Sequence, residues 1–246
     1  MKVLLSYVRG IISDILIYLS MFILGIIGLP FSIVSKKYAY GFIRLYILIC
    51  FLILRVIANI RVECRGEVPQ GNVLVCSKHM SFLDILILAY YLPRYSFVMK
   101  RELVWTPILG IYALRIGCVP ITRGTGSRAL NEMIKNYDNA EDETDGKQIV
   151  IYPQGTRVRP QEFKKYKIGA GVLYKKFELP CHLVGTNTGM FWPKGSFRRN
   201  PGVAVIEFTG VLQPGLPFDN FMAEIETRIE KCSNNLMEEI ENNTRK

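Results

Sequence analysis

The chain contains two histidines, His79 and His182, the side chains best suited to act as a base near neutral pH. Asp84 follows His79 by five residues, in the segment His-Met-Ser-Phe-Leu-Asp. In a turn that leads into a helix, the carboxylate can accept from one ring nitrogen while the other nitrogen takes a proton from a hydroxyl. The spacing predicts a catalytic His–Asp pair. It is also compatible with a carboxylate that only stabilises a helix N-terminus through the helix dipole.

A second candidate site is the segment Tyr152-Pro-Gln-Gly-Thr-Arg157, which directly follows an apolar run. Gly155 lets the backbone approach a ligand closely, Thr156 can donate from its hydroxyl and amide, and the planar guanidinium of Arg157 matches a phosphate. The segment predicts a phosphate-binding turn. A turn followed by a solvated run of charge is the alternative.

The charge distribution indicates an anionic partner. The formal net charge is +10, and residues 157–199 contain ten Lys or Arg against two Glu. A nucleic acid would also suit this charge, but no nucleic-acid-binding signature is present in the sequence. The six cysteines form no Cys-x-x-Cys pair and no metal-ligand spacing, so we predict no metal site.

Two apolar segments open the chain. Ile15 to Ser35 carries no charge and, at about 20 residues, is long enough to cross a bilayer as a helix. Leu45 to Leu54 is shorter and lies between Arg44 and Arg55. Positive charge on both sides gives no clear two-span topology. We predict a helical hairpin that dips into the membrane, with both ends on the cytoplasmic side; a true span by the first helix is the alternative.

The remainder alternates short apolar runs with helical stretches, which predicts an α/β fold with a central mixed sheet flanked by helices. We expect a membrane-anchoring hairpin over residues 1–58 and an α/β domain over residues 59–246. The predicted strands are Asn72–Cys76, Ser96–Met99, Cys118–Ile121, Gln148–Tyr152, Cys181–Thr186 and Val203–Phe208. The predicted helices are Phe82–Tyr91, Pro107–Leu114, Ser127–Asn139, Ala170–Phe177 and Asp219–Glu241.

Taken together, these segments resemble the 1-acylglycerol-3-phosphate O-acyltransferase family, the PlsC-like glycerolipid acyltransferases. The resemblance covers roughly residues 72–208 and the apolar hairpin, and it depends on blocks that occur in the family's order. The blocks are His79-Met-Ser-Phe-Leu-Asp84, Lys100-Arg-Glu-Leu103 with Pro107 and Gly110, Gly117-Cys-Val-Pro-Ile-Thr-Arg123, Tyr152-Pro-Gln-Gly-Thr-Arg157 and Leu179-Pro-Cys-His-Leu-Val184.

The resemblance implies roles for these residues. His79, oriented by Asp84, would deprotonate a glycerol hydroxyl as it attacks an acyl thioester, with no acyl-enzyme intermediate. The acceptor phosphate would be bound by a set of polar residues along the later blocks. These are Lys100, Arg123, Gly155, Thr156 and Arg157. No cofactor is implied, because acyl-CoA or an acyl-carrier-protein thioester enters as a co-substrate.

Two residues depart from the family pattern. Gln154 stands where the third block normally carries Glu, and Thr122 stands where the second block often has Asp. Gln keeps the size and the hydrogen-bonding reach but removes the charge. A substrate-positioning role for Gln154 remains possible, whereas a role that needs a carboxylate does not. We expect the pocket to be more positive as a result.

The sequence therefore predicts a membrane-bound enzyme that converts lysophosphatidic acid to phosphatidic acid in phospholipid biosynthesis. We expect it at the bacterial inner membrane, beside anionic lipid, with the catalytic domain on the cytoplasmic side and no nucleic-acid partner. Two alternatives remain open at this point: an acyltransferase for another lysophospholipid acceptor, and a non-catalytic membrane-bound protein that binds a lipid phosphate.

Overall fold

A central mixed sheet organises the structure, a computed structural model that describes residues 2–122, residue 134 and residues 146–244. Within these residues the sheet has seven strands in the order β1-β7-β6-β2-β5-β3-β4. Neighbouring strands are parallel except for the antiparallel pair β6–β7. The predicted mixed α/β fold is confirmed.

The strands are β1 (Ile60–Arg65), β2 (Val73–Ser77), β3 (Tyr95–Lys100), β4 (Val119–Ile121), β5 (Gln148–Ile151), β6 (Cys181–Thr186) and β7 (Gly202–Leu212). The α-helices are α1 (Lys2–Val34), α2 (Lys36–Ile57), α3 (Phe82–Tyr91), α4 (Leu109–Arg115), α5 (Gly169–Phe177) and α6 (Phe218–Thr244). Short 3-10 helices cover Arg101–Trp105 and Thr188–Met190.

The two faces of the sheet are covered by different helices. In the central strand β2, Val73 and Val75 belong to the core shared with α2, α3 and α4, whereas Leu74 and Cys76 belong to the core shared with α5 and α6. Successive side chains of a strand point to opposite faces, so an uninterrupted apolar run suits a strand covered on both sides. All five residues of β2 are buried for this reason.

Both helices of the N-terminal hairpin extend beyond the uncharged segments of the sequence. Helix α1 has 33 residues and α2 has 22, and both are long enough and apolar enough to cross a membrane. Ser35 caps α2, its hydroxyl accepting from the Lys37 N–H at 3.2 Å. On one side α2 packs into the domain core through Ile47, Cys50 and Leu54. The opposite sides of both helices are exposed and apolar, as in a membrane-associated protein.

Helix α1 contacts the α/β domain along most of its length. Near its start, the Ser6 carbonyl accepts from the Arg199 N–H at 3.1 Å. Asp14 forms an ion pair with the Arg199 guanidinium, which is 1% exposed and stacks on Trp192 at 4.0 Å. Near its end, the Ser32 carbonyl accepts from Arg115 Nε at 2.7 Å. Asp14 directly precedes the uncharged segment of the sequence but lies inside the helix, where its charge is paired.

Other differences from the predicted elements are local. Strand β1 was not predicted, and β7 continues four residues beyond the predicted Phe208 to Leu212. The predicted helix Ser127–Asn139 lies outside the described residues, except for Ile134, which is helical. Asp219, the predicted first residue of the last helix, lies inside its first turn.

Candidate active site

The site is built where β2 ends and α3 begins. The apolar residues of β2 bury the strand, and the chain then turns through His79, Met80 and Ser81 into α3. Ser81 caps the helix, because its hydroxyl accepts from the Leu83 N–H at 3.1 Å. Asp84 completes a capping box by accepting from the Ser81 N–H at 2.8 Å. This turn determines the position of His79.

Asp84 also contacts the imidazole, so the same carboxylate caps the helix and faces His79. Its Oδ2 lies 3.1 Å from His79 Nδ1 and accepts from the Met80 N–H at 2.6 Å. Its Oδ1 accepts from the hydroxyls of Thr188 and Thr186, the latter at 3.4 Å. The carboxylate is fully buried. A carboxylate held by this many donors has a single orientation towards the ring.

Thr186 and Thr188 were not identified from the sequence. Thr186 ends β6, which runs parallel to β2, and the carboxyl ends of parallel neighbours meet at the same edge of a sheet. That rule, applied to the predicted strands, is the signal that could have placed Thr186 beside Asp84.

The segment after β5 forms the other side of the site. The Tyr152 ring stacks on the His79 imidazole, with 4.0 Å between ring centroids. The chain then turns at Gly155, whose φ of +67° favours glycine. The turn is tied to the His79 loop, because the Val158 N–H donates to the His79 carbonyl at 2.8 Å. Burial raises the pKa of Tyr152 well above its usual value, so its hydroxyl stays protonated.

An apolar cavity of about 400 Å³ opens beside His79. Its walls come from the hairpin as well as from the domain: Met21 and Phe42 lie on one side, and Leu86 and Tyr112 on another. Ligand cavities typically have volumes of about 300–1,000 Å³ and few polar groups. The polar residues at this cavity include His79, Lys100, Thr156, Arg157 and Lys194.

The structure therefore brings together several residues predicted as one site. Lys100 and Arg157 line the same cavity as His79, and Lys100 also pairs with Glu102 at 2.9 Å. Lys194 was not predicted in this role; its Nζ donates to the Arg157 carbonyl at 2.8 Å, which brings a further cation to the cavity. Arg123 lies outside the described residues.

Gln154 lies behind His79 and is fully buried. Its Oε1 accepts from the His79 N–H at 3.4 Å, and its Nε2 donates to Glu230 Oε1 at 3.3 Å. The predicted substrate-positioning role can therefore act only through His79. The carboxylate beside this position comes from α6, where Glu230 lies.

His182 is separate from this site. It lies in β6, opposite Val75 of β2, and does not line the cavity. Burial lowers the pKa of the half-buried imidazole. It provides a matched second histidine for mutagenesis.

Comparison with known proteins fits this geometry. The structure places a His–Asp pair beside an apolar cavity in a mixed α/β domain. Residues 59–186, slightly more than half of the chain, match the Acyltransferase family, and the chain belongs to that family.

Three relatives illustrate the similarity. The chain is 28% identical over 188 residues to a 1-acyl-sn-glycerol-3-phosphate acyltransferase of Pseudomonas aeruginosa, covering 76% of this chain and 72% of that protein. A lyso-ornithine lipid O-acyltransferase of the same organism is 30% identical over 43% of this chain and 39% of its own length. The crystal structure of the 1-acyl-sn-glycerophosphate (LPA) acyltransferase PlsC from Thermotoga maritima matches with a TM-score of 0.78 at 19% identity, covering 96% of this chain and 99% of that one.

Proposed function

We propose that the chain transfers an acyl group from a thioester to lysophosphatidic acid, giving phosphatidic acid. One observation carries this proposal: His79, held by Asp84, borders an apolar cavity that also carries Arg157 and Lys100. A base, cations for a phosphate and space for an acyl chain are thus present in one site. The 28% identical Pseudomonas relative, with the same acceptor in its name, supports this choice.

In the proposed mechanism His79 is the general base. With its Nδ1–H donated to Asp84, the lone pair is on Nε2, which takes the proton from the glycerol hydroxyl. The hydroxyl oxygen attacks the thioester carbonyl, the C–O bond forms, and the C–S bond breaks. The proton then passes from His79 to the leaving thiolate. Asp84 stabilises the imidazolium while it exists.

The acceptor phosphate is assigned to the cations at the cavity. Arg157 can contact it through two N–H groups, and Lys100 and Lys194 add charge. Thr156 and the glycine turn at Gly155 provide close hydrogen-bond donors. Arg123 completes the proposed set on the basis of the family pattern. Fixing the phosphate fixes the hydroxyl near His79, which is the main gain from binding.

The acyl donor is either acyl-CoA or an acyl carrier protein, and no cofactor takes part in this mechanism. Exposed lysines in the segment after the glycine turn, such as Lys164 and Lys165, suit the phosphates of one donor and the acidic surface of the other. KM, measured for each purified thioester under the same conditions, separates the two. The true donor shows the lower KM.

We also propose that the hairpin enters one leaflet of the bacterial inner membrane from the cytoplasmic side. Ser6 and Ser32 both contact the α/β domain, although about 39 Å of helix separates them. A helix bound to one domain at both ends cannot carry that domain on one side and extend to the other. The exposed apolar surface continues onto the domain at Trp105 and Ile111, which are 83% and 50% exposed.

Topology can be tested at the hairpin turn. A cysteine at Ser35 should react with a membrane-impermeant maleimide only from the cytoplasmic side, or not at all if lipid covers it. Labelling from the opposite side would instead support a spanning first helix.

The activity test uses the two histidines as a matched pair. Purified protein in detergent micelles is given lysophosphatidic acid and an acyl thioester, and phosphatidic acid is measured. We expect His79→Ala to reduce the rate by a factor of roughly 10³ or more, whereas His182→Ala stays near wild type. If another lysolipid but not lysophosphatidic acid gives product, the proposed acceptor is wrong. If no acceptor gives product, the chain is instead a non-catalytic protein that binds a lipid phosphate.

A further inference from the structure

Gln154 lies between two groups that make opposite demands on its side chain. The His79 N–H requires an acceptor, which Oε1 provides at 3.4 Å, and the Glu230 carboxylate requires a donor, which Nε2 provides at 3.3 Å. A neutral carboxamide offers both an acceptor and a donor, whereas an ionised carboxylate offers acceptors only. Gln154 is fully buried, so no solvent compensates a mismatch.

Glu230 is anchored independently of Gln154. Its Oε2 accepts from Lys78 Nζ at 2.5 Å, and its Oε1 also accepts from the Tyr166 hydroxyl at 3.0 Å. Lys78 is 1% exposed and directly precedes His79. The cluster therefore holds one buried positive charge and one negative charge, and a second carboxylate would leave it with an unpaired negative charge.

We propose that Gln154 and Glu230 form a matched positioning pair, in which the carboxylate on α6 takes over the charge that this chain lacks at position 154 and the carboxamide transmits its position to the backbone of His79. The inference extends the proposed function, since the group being positioned is the proposed base. Neither residue touches the substrate. Both residues hold the His79 loop in the position in which the imidazole borders the cavity.

Because Glu230 already supplies a carboxylate, Glu at position 154 should reduce activity in this chain, although Glu is the residue of the family pattern. In Gln154→Glu, two carboxylates would meet inside the protein about as far apart as Nε2 and Oε1 are now. Their repulsion moves the side chain that accepts from the His79 N–H. A displacement of about 1 Å at a catalytic group can reduce the rate by roughly 100-fold.

The test is an exchange of the two side chains. Gln154→Glu and Glu230→Gln each disturb the charge balance of the cluster, whereas the double variant keeps one carboxylate and one carboxamide beside Lys78. We expect each single variant to reduce kcat by roughly 10- to 100-fold with KM for lysophosphatidic acid changed less than threefold. The double variant should recover to within about threefold of wild type. A residue with a purely local structural role would not be rescued by its exchanged partner.

The pH profile gives a second readout. Protonation of one carboxyl group removes the repulsion, so the activity of Gln154→Glu relative to wild type should rise as the pH falls from 8 to 6. The other titratable groups facing Glu230 are Lys78, Tyr166, Glu226 and Glu162. Burial and the negative charge of Glu230 raise the pKa of Tyr166, which therefore stays neutral across this range. All four groups are common to both proteins. The ratio of the two activities at each pH therefore reports the carboxyl group introduced at position 154.

Several outcomes would overturn the pairing. Wild-type or higher turnover in Gln154→Glu with Glu230 intact contradicts it, and so does a double variant no better than the worse single variant. Should Gln154→Glu fail to fold, a folded and active double variant supports the pairing, and an unfolded one refutes it. If the wild type acylates no lysolipid, the proposed function fails by itself. The melting temperatures of the same four proteins then test the pairing, because only the matched pairs should melt near the wild-type temperature.

Discussion

Asp84→Asn separates the catalytic role of this carboxylate from its structural role. Asp84 Oδ2 faces only donors, namely His79 Nδ1 and the N–H groups of Met80 and Ser81. Its Oδ1 faces the hydroxyls of Thr186 and Thr188, which can rotate to accept. An asparagine therefore fits the site, with its oxygen towards the N–H groups and its nitrogen towards the threonines. The substitution removes the charge and little else.

The expected loss of activity follows from the distance to the imidazole. Opposite unit charges 3.1 Å apart attract by about 5 kcal/mol at an effective dielectric constant of ~20. This energy acts only when His79 has taken the proton, so its loss raises the barrier of the chemical step. At about 1.4 kcal/mol for each tenfold change, the upper limit is a rate loss of roughly 10⁴. We expect a 10³- to 10⁴-fold fall in kcat.

The expected loss of stability is smaller. The N–H donors of Met80 and Ser81 keep an acceptor, and exchanging a charged acceptor for a neutral one costs about 1 kcal/mol per bond. Asp84→Ala instead leaves buried donors unpaired, at about 1–3 kcal/mol each. We therefore expect about 2 kcal/mol for the Asn variant and at least twice that for the Ala variant.

Two measurements on the same preparations decide the question. Initial rates of phosphatidic acid formation in detergent micelles give kcat, and chemical unfolding followed by circular dichroism gives the free energy of unfolding. An Asp84→Asn protein that keeps more than a tenth of the wild-type rate would refute the charge argument. An Asn variant as unstable as the Ala variant would show that the fold depends on the charge of Asp84, not on the hydrogen bonds that Asn retains.

Three further predictions concern the surroundings of the site. Arg199→Met leaves the partly buried Asp14 without its partner and should cost about 1–3 kcal/mol in unfolding free energy; adding Asp14→Asn should recover part of that loss, and an unchanged melting temperature in the single variant would contradict it. Trp105 should shift its fluorescence to shorter wavelength when the protein binds anionic vesicles, and Trp105→Ala should weaken vesicle binding while leaving activity in micelles unchanged; a shift equal to that of the wild type in the Ala variant would assign the signal to Trp192. The Tyr152 hydroxyl is buried without a hydrogen-bond partner in the described part of the chain, so Tyr152→Phe should leave the protein as stable or raise its stability by about 1 kcal/mol, and a clear drop in melting temperature would reveal an unrecognised partner.

The sequence predicted the elements whose signals are local. Phe82–Tyr91 was predicted with the observed bounds, because Ser81 precedes an apolar run and Pro93 follows it. Cys181–Thr186 was likewise predicted with the observed bounds, because it is an apolar run of the kind found in strands that are buried on both faces of a sheet. Strand β1 was missed although Ile60–Arg65 alternates apolar and charged residues, the pattern of an edge strand with one wet face.

Side-chain pairs between distant residues that share no sheet edge could not be predicted. Arg199 pairs with Asp14 from 185 residues away, and this pairing attaches α1 to the α/β domain. Gln154 and Glu230 are 76 residues apart, and nothing in the neighbouring sequence marks either as a partner. The hydrophobic pattern of a sequence indicates which face of a helix or strand a residue occupies. Which residues of two distant elements meet is determined by how those elements pack.

The hairpin forms a wall of the cavity, with Met21 and Leu24 from α1 and Phe42 and Ile43 from α2 among the lining residues. A shortened protein beginning at residue 59 would therefore lose part of its binding chamber together with its anchor. Selection for a different fatty acid can act on these helix residues without touching His79. The same helices therefore face the lipid and line the cavity. A substitution that changes the fit of the hairpin to the membrane is expected to change the preferred acyl-chain length as well.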